Sequence, residues 1–89
     1  MAEAVTPYQI LFSKKAQKDI AQLTLQQKAK VQEILQQFLA TNPQAGKRLK
    51  GKLSGFYSYR LNQRDRILYE ILEDTRTVFI IRARTHYGD

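Results

Sequence analysis

His86 is the only histidine of this chain and the only side chain that titrates near neutral pH without perturbation. It follows Arg84 by two residues and precedes Tyr87, whose ring could stack on a base. RNA cleavage without a metal needs a base for a 2′-hydroxyl proton, cations for the phosphate charge, and an acid for the leaving 5′-oxygen. His86 could serve as that acid or base, although a lone histidine is also commonly an exposed bystander.

Residues 47–69 carry most of the chain's positive charge, with seven basic residues against one acidic residue. The basic residues are Lys47, Arg48, Lys50, Lys52, Arg60, Arg64 and Arg66. Arg60, Arg66 and Arg84 could clamp phosphate oxygens with their forked guanidinium groups, and Tyr57 and Tyr59 could stack on bases. The alternatives are arginines paired with acids on a sheet surface, tyrosines packed against helices, and a solvated basic loop.

Composition narrows the classes of function. The sequence pI of about 9.9 indicates a polyanionic partner. Without cysteine, and with one histidine and scattered carboxylates, the chain has no recognisable ligand set, so we expect no metal and no cofactor. The 89 residues predict one domain over residues 1–89. We see no signal peptide and no apolar run of membrane-spanning length, which favours a cytoplasmic protein without a membrane partner.

The first half of the chain predicts a strand and two helices. Residues 8–12 are β-prone, and Ser13 is a candidate N-cap for a helix over about residues 14–23. Thr24 and Gln27 have capping-box spacing before a second helix over about residues 25–40, which Pro43 ends. Its apolar stripe consists of Val31, Ile34, Leu35, Phe38 and Leu39.

The second half predicts a basic loop over residues 47–54 and three strands, over residues 55–61, 66–72 and 77–84, joined by short turns. The predicted fold is therefore an α+β domain of order βααβββ, with the helices on one face of a small antiparallel sheet. In the last strand, Phe79 and Ile81 are predicted to face the core. On the other face, Val78 and Ile80 lead to Arg82, Arg84 and His86.

The pattern LKGKLSGFYSYRL over residues 49–61, followed by RILYEI over residues 66–71, resembles the RelE/ParE toxin superfamily. The segment RTHY over residues 84–87 is similar to the R-x-H-Y ending of its YoeB-like branch. The resemblance implies a RelE-like fold and a type II toxin that cuts mRNA in the ribosomal A site without a metal. It also implies a cognate antitoxin, through which the complex would bind operator DNA.

The resemblance also implies roles for individual residues. Arg66 matches the arginine that contacts the scissile phosphate, His86 the proposed general acid, and Tyr87 the tyrosine after it. The basic residues that line the family's site correspond to Lys50, Arg60 and Arg84. Lys47 stands where YoeB-like toxins have a glutamate proposed as general base. The base is therefore either His86 or Lys47, the latter if surrounding cations lower its pKa.

Three functions compete at this stage. The first is the ribosome-dependent endoribonuclease, with Arg66, His86, Tyr87, Arg84 and Lys47 as catalytic residues. Its RNA-binding residues would be Lys50, Lys52, Arg60, Arg48, Tyr57 and Tyr59. The second is a ParE-like poison of DNA gyrase, which has the same fold and no nuclease site. The third is an RNA-binding module without catalytic activity, for which the same basic and aromatic residues would suffice.

Overall fold

Two helices follow the first strand, as predicted. The computed structural model describes residues 7–83 of the chain. Helix α1 spans Lys14–Ala21 and begins at Ser13, whose Oγ accepts a hydrogen bond from the Ala16 N–H at 3.0 Å. The Ser13 hydroxyl also donates to the carbonyl oxygen of Ile81 at 2.8 Å. One side chain therefore caps the helix and ties it to the last strand.

Helix α2 spans Leu25–Ile34 and begins at the predicted capping box. The Gln27 N–H donates to Oγ1 of Thr24, and the Thr24 N–H donates to Oε1 of Gln27, both at 3.1 Å. Each bond satisfies an N–H that has no acceptor within the helix, so the pair fixes where α2 begins. Neither helix described within residues 7–83 is long and apolar enough to cross a membrane.

The chain leaves α2 through a π-helical turn over Leu35–Leu39, where the sequence predicts a continued α-helix. The Ala40 N–H donates to the carbonyl oxygen of Leu35, five residues earlier, at 2.8 Å. Because a π turn holds more residues than an α turn, side chains beyond it rotate out of the α-helical stripe. Leu39 is fully buried, whereas Phe38 is 42% exposed. The placement of Phe38 on a core-facing stripe is therefore wrong.

The sheet has five strands in the order β1-β5-β4-β3-β2 and is mixed. The strands are β1 (Gln9–Phe12), β2 (Lys47–Arg48), β3 (Phe56–Arg60), β4 (Arg66–Leu72) and β5 (Thr77–Arg82). The α+β class is confirmed, but the prediction of a small antiparallel sheet with one strand before the helices and three after them is wrong in two respects. First, β1 lies parallel to β5, which the long crossover through both helices permits. Second, β2 pairs with β3 inside the predicted loop, because two adjacent charged residues give no alternation to reveal a strand.

The core lies between the helices and one face of the sheet. The side chains of β5 that face it are not the predicted set but the alternate one. Val78 and Ile80 are fully buried, whereas Phe79 and Ile81 are partly exposed. The register explains this, because Ile80 lies opposite the fully buried Tyr69 of β4. All four residues are apolar, so alternation along β5 carries no information about which face is buried.

Candidate nucleic-acid-binding groove

An open groove of about 810 Å³ lies where α2 and its π turn meet the end of the β3–β4 hairpin. We call it the cationic groove. Its cationic and aromatic lining residues are Lys30, Lys47, Arg60, Arg66, Phe38 and Tyr59. None of the described residues that line it is acidic. The groove thus combines the two side-chain classes that bind single-stranded nucleic acid, cations for phosphates and aromatic rings for bases.

Arg60 and Arg66 lie directly opposite each other at the end of the β3–β4 ladder. Like charges at opposed positions of a sheet repel each other and are destabilising. A bound phosphate between two guanidinium groups would turn that repulsion into two charge-assisted interactions. This arrangement is suited to a phosphate bound by both arginines at the turn end of the β3–β4 hairpin.

The turn between these arginines holds its own acidic residue away from the groove. Oδ1 of Asn62 accepts hydrogen bonds from the backbone N–H groups of Arg64 and Asp65, both at 2.8 Å. The carboxylate of Asp65, which is only 9% exposed, accepts from Nδ2 of Asn62 at 3.2 Å. The only acidic residue of the basic stretch therefore helps to form the turn and is absent from the groove lining.

The residue before Lys47 belongs to a buried contact between the Tyr69 side chain and the backbone of Pro43 and Gly46, which we call the latch. The Tyr69 hydroxyl donates to the carbonyl oxygen of Pro43 at 2.5 Å and shares a backbone hydrogen bond with Gly46. Burial raises the pKa of the Tyr69 phenol above its usual range, an effect that the bond with Gly46 partly offsets. A Cβ at Gly46 would lie 2.1 Å from the Tyr69 hydroxyl oxygen, so the latch requires glycine before Lys47.

The two predicted stacking tyrosines have different surroundings. Tyr57 stacks on Tyr69 with ring centroids 5.5 Å apart and an interplanar angle of 18°. Tyr59 stacks on Phe38 with centroids 5.9 Å apart and an angle of 22°, and both of these rings line the groove. Both tyrosines pack against the core cluster, but of the two only Tyr59 lines the groove.

The family follows from a comparison with protein-family models. The model of the ParE-like toxin of type II bacterial toxin–antitoxin systems matches residues 10–88. The chain belongs to the ParE-like toxin family. This membership confirms the resemblance to the RelE/ParE superfamily.

Three solved structures are similar to this ParE-like toxin. A chain of the RelBE2 toxin–antitoxin complex from Mycobacterium tuberculosis is 31% identical, with a TM-score of 0.81, over 99% of this chain and 100% of that chain. A chain of the YoeB-YefM complex from Staphylococcus aureus is 26% identical, with a TM-score of 0.76, over 90% of this chain and 98% of that chain. The YoeB/ParE toxin from Agrobacterium tumefaciens, at 20% identity over 89% of this chain and 99% of that chain, shares the fold with a TM-score of 0.80. A search of curated protein sequences gave no significant match.

Three further predicted RNA-binding residues of the ParE-like toxin, all of them described by the structure, fall outside the groove lining. Arg48, Lys50 and Lys52 are exposed, on β2 and around the 3₁₀ turn Gly51–Leu53 that follows it. The catalytic candidates Arg84, His86 and Tyr87 lie outside the described residues. Within residues 7–83, no group of three or more His, Cys, Asp or Glu side chains is arranged to hold a metal ion.

The sequence interpretation missed two groove residues, both contributed by the helical segment. Helical periodicity places Phe38 on the apolar stripe of α2 and Lys30 on the opposite, polar face. Lys30, Ile34 and Phe38 follow one another at intervals of four residues, and all three line the groove. That spacing places side chains on neighbouring helical turns and is the signal that could have grouped them.

Proposed function

We propose that this ParE-like toxin is a ribosome-dependent endoribonuclease that cuts mRNA in the ribosomal A site and thereby inhibits translation. The observation that supports this most is the convergence of Lys47, Arg60 and Arg66 in one groove. These residues come from three different strands, and none of the described lining residues is acidic. A surface of this kind is suited to hold and polarise the phosphodiester of an RNA strand.

In the proposed reaction, the 2′-oxygen of the nucleotide before the cut attacks phosphorus while the bond to the 5′-oxygen breaks. The products are a 2′,3′-cyclic phosphate and a 5′-hydroxyl end, and no water is consumed. Arg66 and Arg60 would stabilise the charge that develops on the phosphate oxygens. His86 would protonate the leaving 5′-oxygen, with Tyr87 and Arg84 beside it in sequence.

The base that accepts the 2′-hydroxyl proton is either Lys47 or His86. Lys47 lies in the groove with both arginines, and its amine would act as a base only in the neutral form. If Lys47 is the base, His86 acts only as the acid. If His86 is the base, it passes the 2′-hydroxyl proton on to the leaving 5′-oxygen, and Lys47 contributes charge alone. The Lys47→Arg variant separates these roles, because arginine keeps the charge and cannot act as a base near neutral pH.

The proposed partners are the ribosome with its mRNA and a cognate antitoxin. The RelBE2 and YoeB-YefM structures are complexes of toxin and antitoxin. By analogy, an acidic or amphipathic segment of an antitoxin would cover the cationic groove of this chain and neutralise it. The antitoxin would also carry the DNA-binding part of the complex at the shared operator.

The test is a translation extract programmed with a defined mRNA, in which cut sites and end groups are mapped. We expect cuts at fixed codon positions only when ribosomes translate, with 5′-hydroxyl ends. Arg66→Ala should lower the cleavage rate by about 10²–10³-fold, the usual loss for one group that stabilises transition-state charge. Arg64→Ala is the matched control, because this exposed arginine lies two residues away and outside the groove.

Three outcomes would contradict parts of this proposal. Equal losses for the Arg66 and Arg64 variants would mean that net charge matters and the groove does not. Cleavage of free mRNA at the same rate would remove the requirement for the ribosome. Intact mRNA together with accumulated gyrase–DNA cleavage complexes would instead assign the chain to the gyrase poisons.

A further inference from the structure

Phe38 is a large apolar side chain at the wall of the cationic groove, and 42% of its surface is exposed. One part of its ring packs on Tyr59 with centroids 5.9 Å apart. The two rings lie within 22° of parallel, so Phe38 extends a stack that Tyr59 begins. Another flat ring could add to this stack from the groove.

The π-helical turn accounts for this unusual placement of Phe38. A regular α-helix would bring Phe38 beneath Val31, seven residues earlier, on the face that packs against the sheet. With the π turn, Leu39 keeps its place in the core, where it is fully buried, whereas Phe38 lies at the groove. Single π turns within helices occur frequently at functional sites, because they re-aim side chains in this way.

The surroundings of Phe38 determine which kind of flat ring would stack there. Lys30 lies two helical turns before it, and Lys47, Arg60 and Arg66 line the same groove. A purely apolar partner would gain nothing from four cations, whereas each phosphate of a nucleic acid would pair with one. The volume of about 810 Å³ falls within the range of roughly 300–1,000 Å³ that is typical of small-ligand sites.

We propose that Phe38 is a stacking site for an unpaired base of RNA, next to the phosphate that Arg60 and Arg66 hold. Lys30 would contact a neighbouring phosphate of the same strand. This inference rests on the proposed function and adds a binding subsite built from α2 and its π turn. Recognition by stacking is tolerant of sequence, since every base has a flat face, so the subsite positions the strand and does not select a base.

The test measures binding of a six-nucleotide single strand of 2′-O-methyl RNA, which cannot be cut because its 2′-oxygens are blocked. A second probe has the same backbone and lacks all bases. Phe38→Ala should weaken binding of the first probe about 5–150-fold, which corresponds to one lost base stack. The same variant should bind the abasic probe as tightly as the unaltered protein does.

Three further variants separate stacking from other effects. Phe38→Trp keeps a flat ring and should retain binding within about threefold, since tryptophan also stacks on bases. Leu72→Ala is the matched control, because Leu72 is 39% exposed and lies outside the groove lining. Lys30→Gln should weaken binding of both probes equally and reduce the dependence of binding on salt.

Several results would overturn the stacking site. The first is that Phe38→Ala binds the base-containing probe as tightly as the unaltered protein does. The second is that Phe38→Ala weakens binding of both probes equally. The third is that the unaltered protein does not bind the base-containing probe. If Phe38→Ala loses antitoxin binding while its RNA binding is intact, the stacking site is also overturned and Phe38 belongs to a protein interface. If Arg66→Ala abolishes mRNA cleavage while Phe38→Ala changes neither binding nor cleavage, the stacking site fails and the proposed function stands.

Discussion

Replacing Gly46 with alanine should destabilise the fold through a steric clash with the latch beneath β2. The backbone of Gly46 is extended, with φ −75° and ψ 175°, so alanine meets no conformational penalty there. Its Cβ, however, would lie 2.1 Å from the Tyr69 hydroxyl oxygen and 2.7 Å from the carbonyl oxygen of Ser58. Neither atom can move easily, since Tyr69 is fully buried and the Ser58 carbonyl belongs to the middle of β3.

The size of the effect follows from two contributions. Inserting a methyl group into packed surroundings costs about 1–3 kcal/mol, and a displaced hydroxyl leaves buried polar groups unpaired at about 1–3 kcal/mol more. The combined loss of about 2–6 kcal/mol should lower the melting temperature by roughly 8–48 °C, since each kcal/mol shifts a domain of this size by about 4–8 °C. Lys47, the next residue, should also lose its position at the groove.

The assay is thermal unfolding by circular dichroism, with urea unfolding to obtain the free energy. Gly51→Ala is the control, because Gly51 has φ +69° and an added Cβ meets no atom of residues 7–83 within 4 Å. That variant should cost only about 1–2 kcal/mol for the left-handed conformation. In the Tyr69→Phe background, Gly46→Ala should cost at least about 1 kcal/mol less than alone, because the clashing hydroxyl is gone. A melting temperature within about 2 °C of the unaltered protein would refute the latch.

Two further stability predictions concern the contacts that tie α1 to β5. Asp19 receives a two-pronged hydrogen bond from Arg82, at 2.7 and 3.1 Å, and a third bond from the Ala83 N–H at 3.2 Å. Asp19→Ala should lower the free energy of unfolding by about 1–3 kcal/mol. Solvent screens part of the ion-pair contribution, because the Arg82 side chain is partly exposed. A free energy from urea unfolding that is unchanged within about 0.5 kcal/mol would contradict this prediction. Ser13→Ala removes both the cap of α1 and the hydrogen bond to Ile81, and it should lower the free energy of unfolding by about 1–2 kcal/mol. Lys18→Ala, at an exposed position of the same helix, is the control. A loss for Ser13→Ala no larger than that of the control would exclude the cap as a source of stability.

The sequence predicts the helix starts well because the signals for them are local. Thr24 and Gln27 are three residues apart, and their reciprocal hydrogen bonds involve only their own backbone and side chains. Ser13 likewise caps α1 through an N–H three residues away. No distant part of the chain is needed to satisfy these groups, so the pattern alone suffices.

Strand pairing is harder to predict because its partners are remote in sequence. Ile10 lies opposite Val78, and no local feature of residues 8–12 indicates that this pairing is parallel. In the same way, Val78 and Phe79 are both strong strand formers, and only the register with β4 determines that Val78 faces the core. Tertiary pairing therefore decides what alternation along an all-apolar strand leaves open.

The candidate site was predictable where it depends on the hairpin and not where it depends on the helix. Arg60 and Arg66 flank a short turn, so an antiparallel hairpin brings them together whatever surrounds it. Phe38 lines the same groove from a helical segment whose period changes at Leu35. Such a change depends on how the segment packs, so the apolar stripe alone places Phe38 in the core, and only its four-residue spacing from Ile34 and Lys30 points to the groove.

Tyr57 and Tyr59 show why the type and spacing of residues do not by themselves assign a function. They lie two residues apart on β3 and therefore point to the same face of the sheet. Tyr57 meets the ring of Tyr69, whose hydroxyl helps to hold Lys47 in place, whereas Tyr59 meets the exposed ring of Phe38. On this reasoning, Tyr57→Ala should act mainly through the latch and stability, and Tyr59→Ala mainly through its stack with Phe38, the proposed site for a base. The two rings of one motif thus differ in their surroundings, and the difference arises from the partner that each ring contacts across the fold.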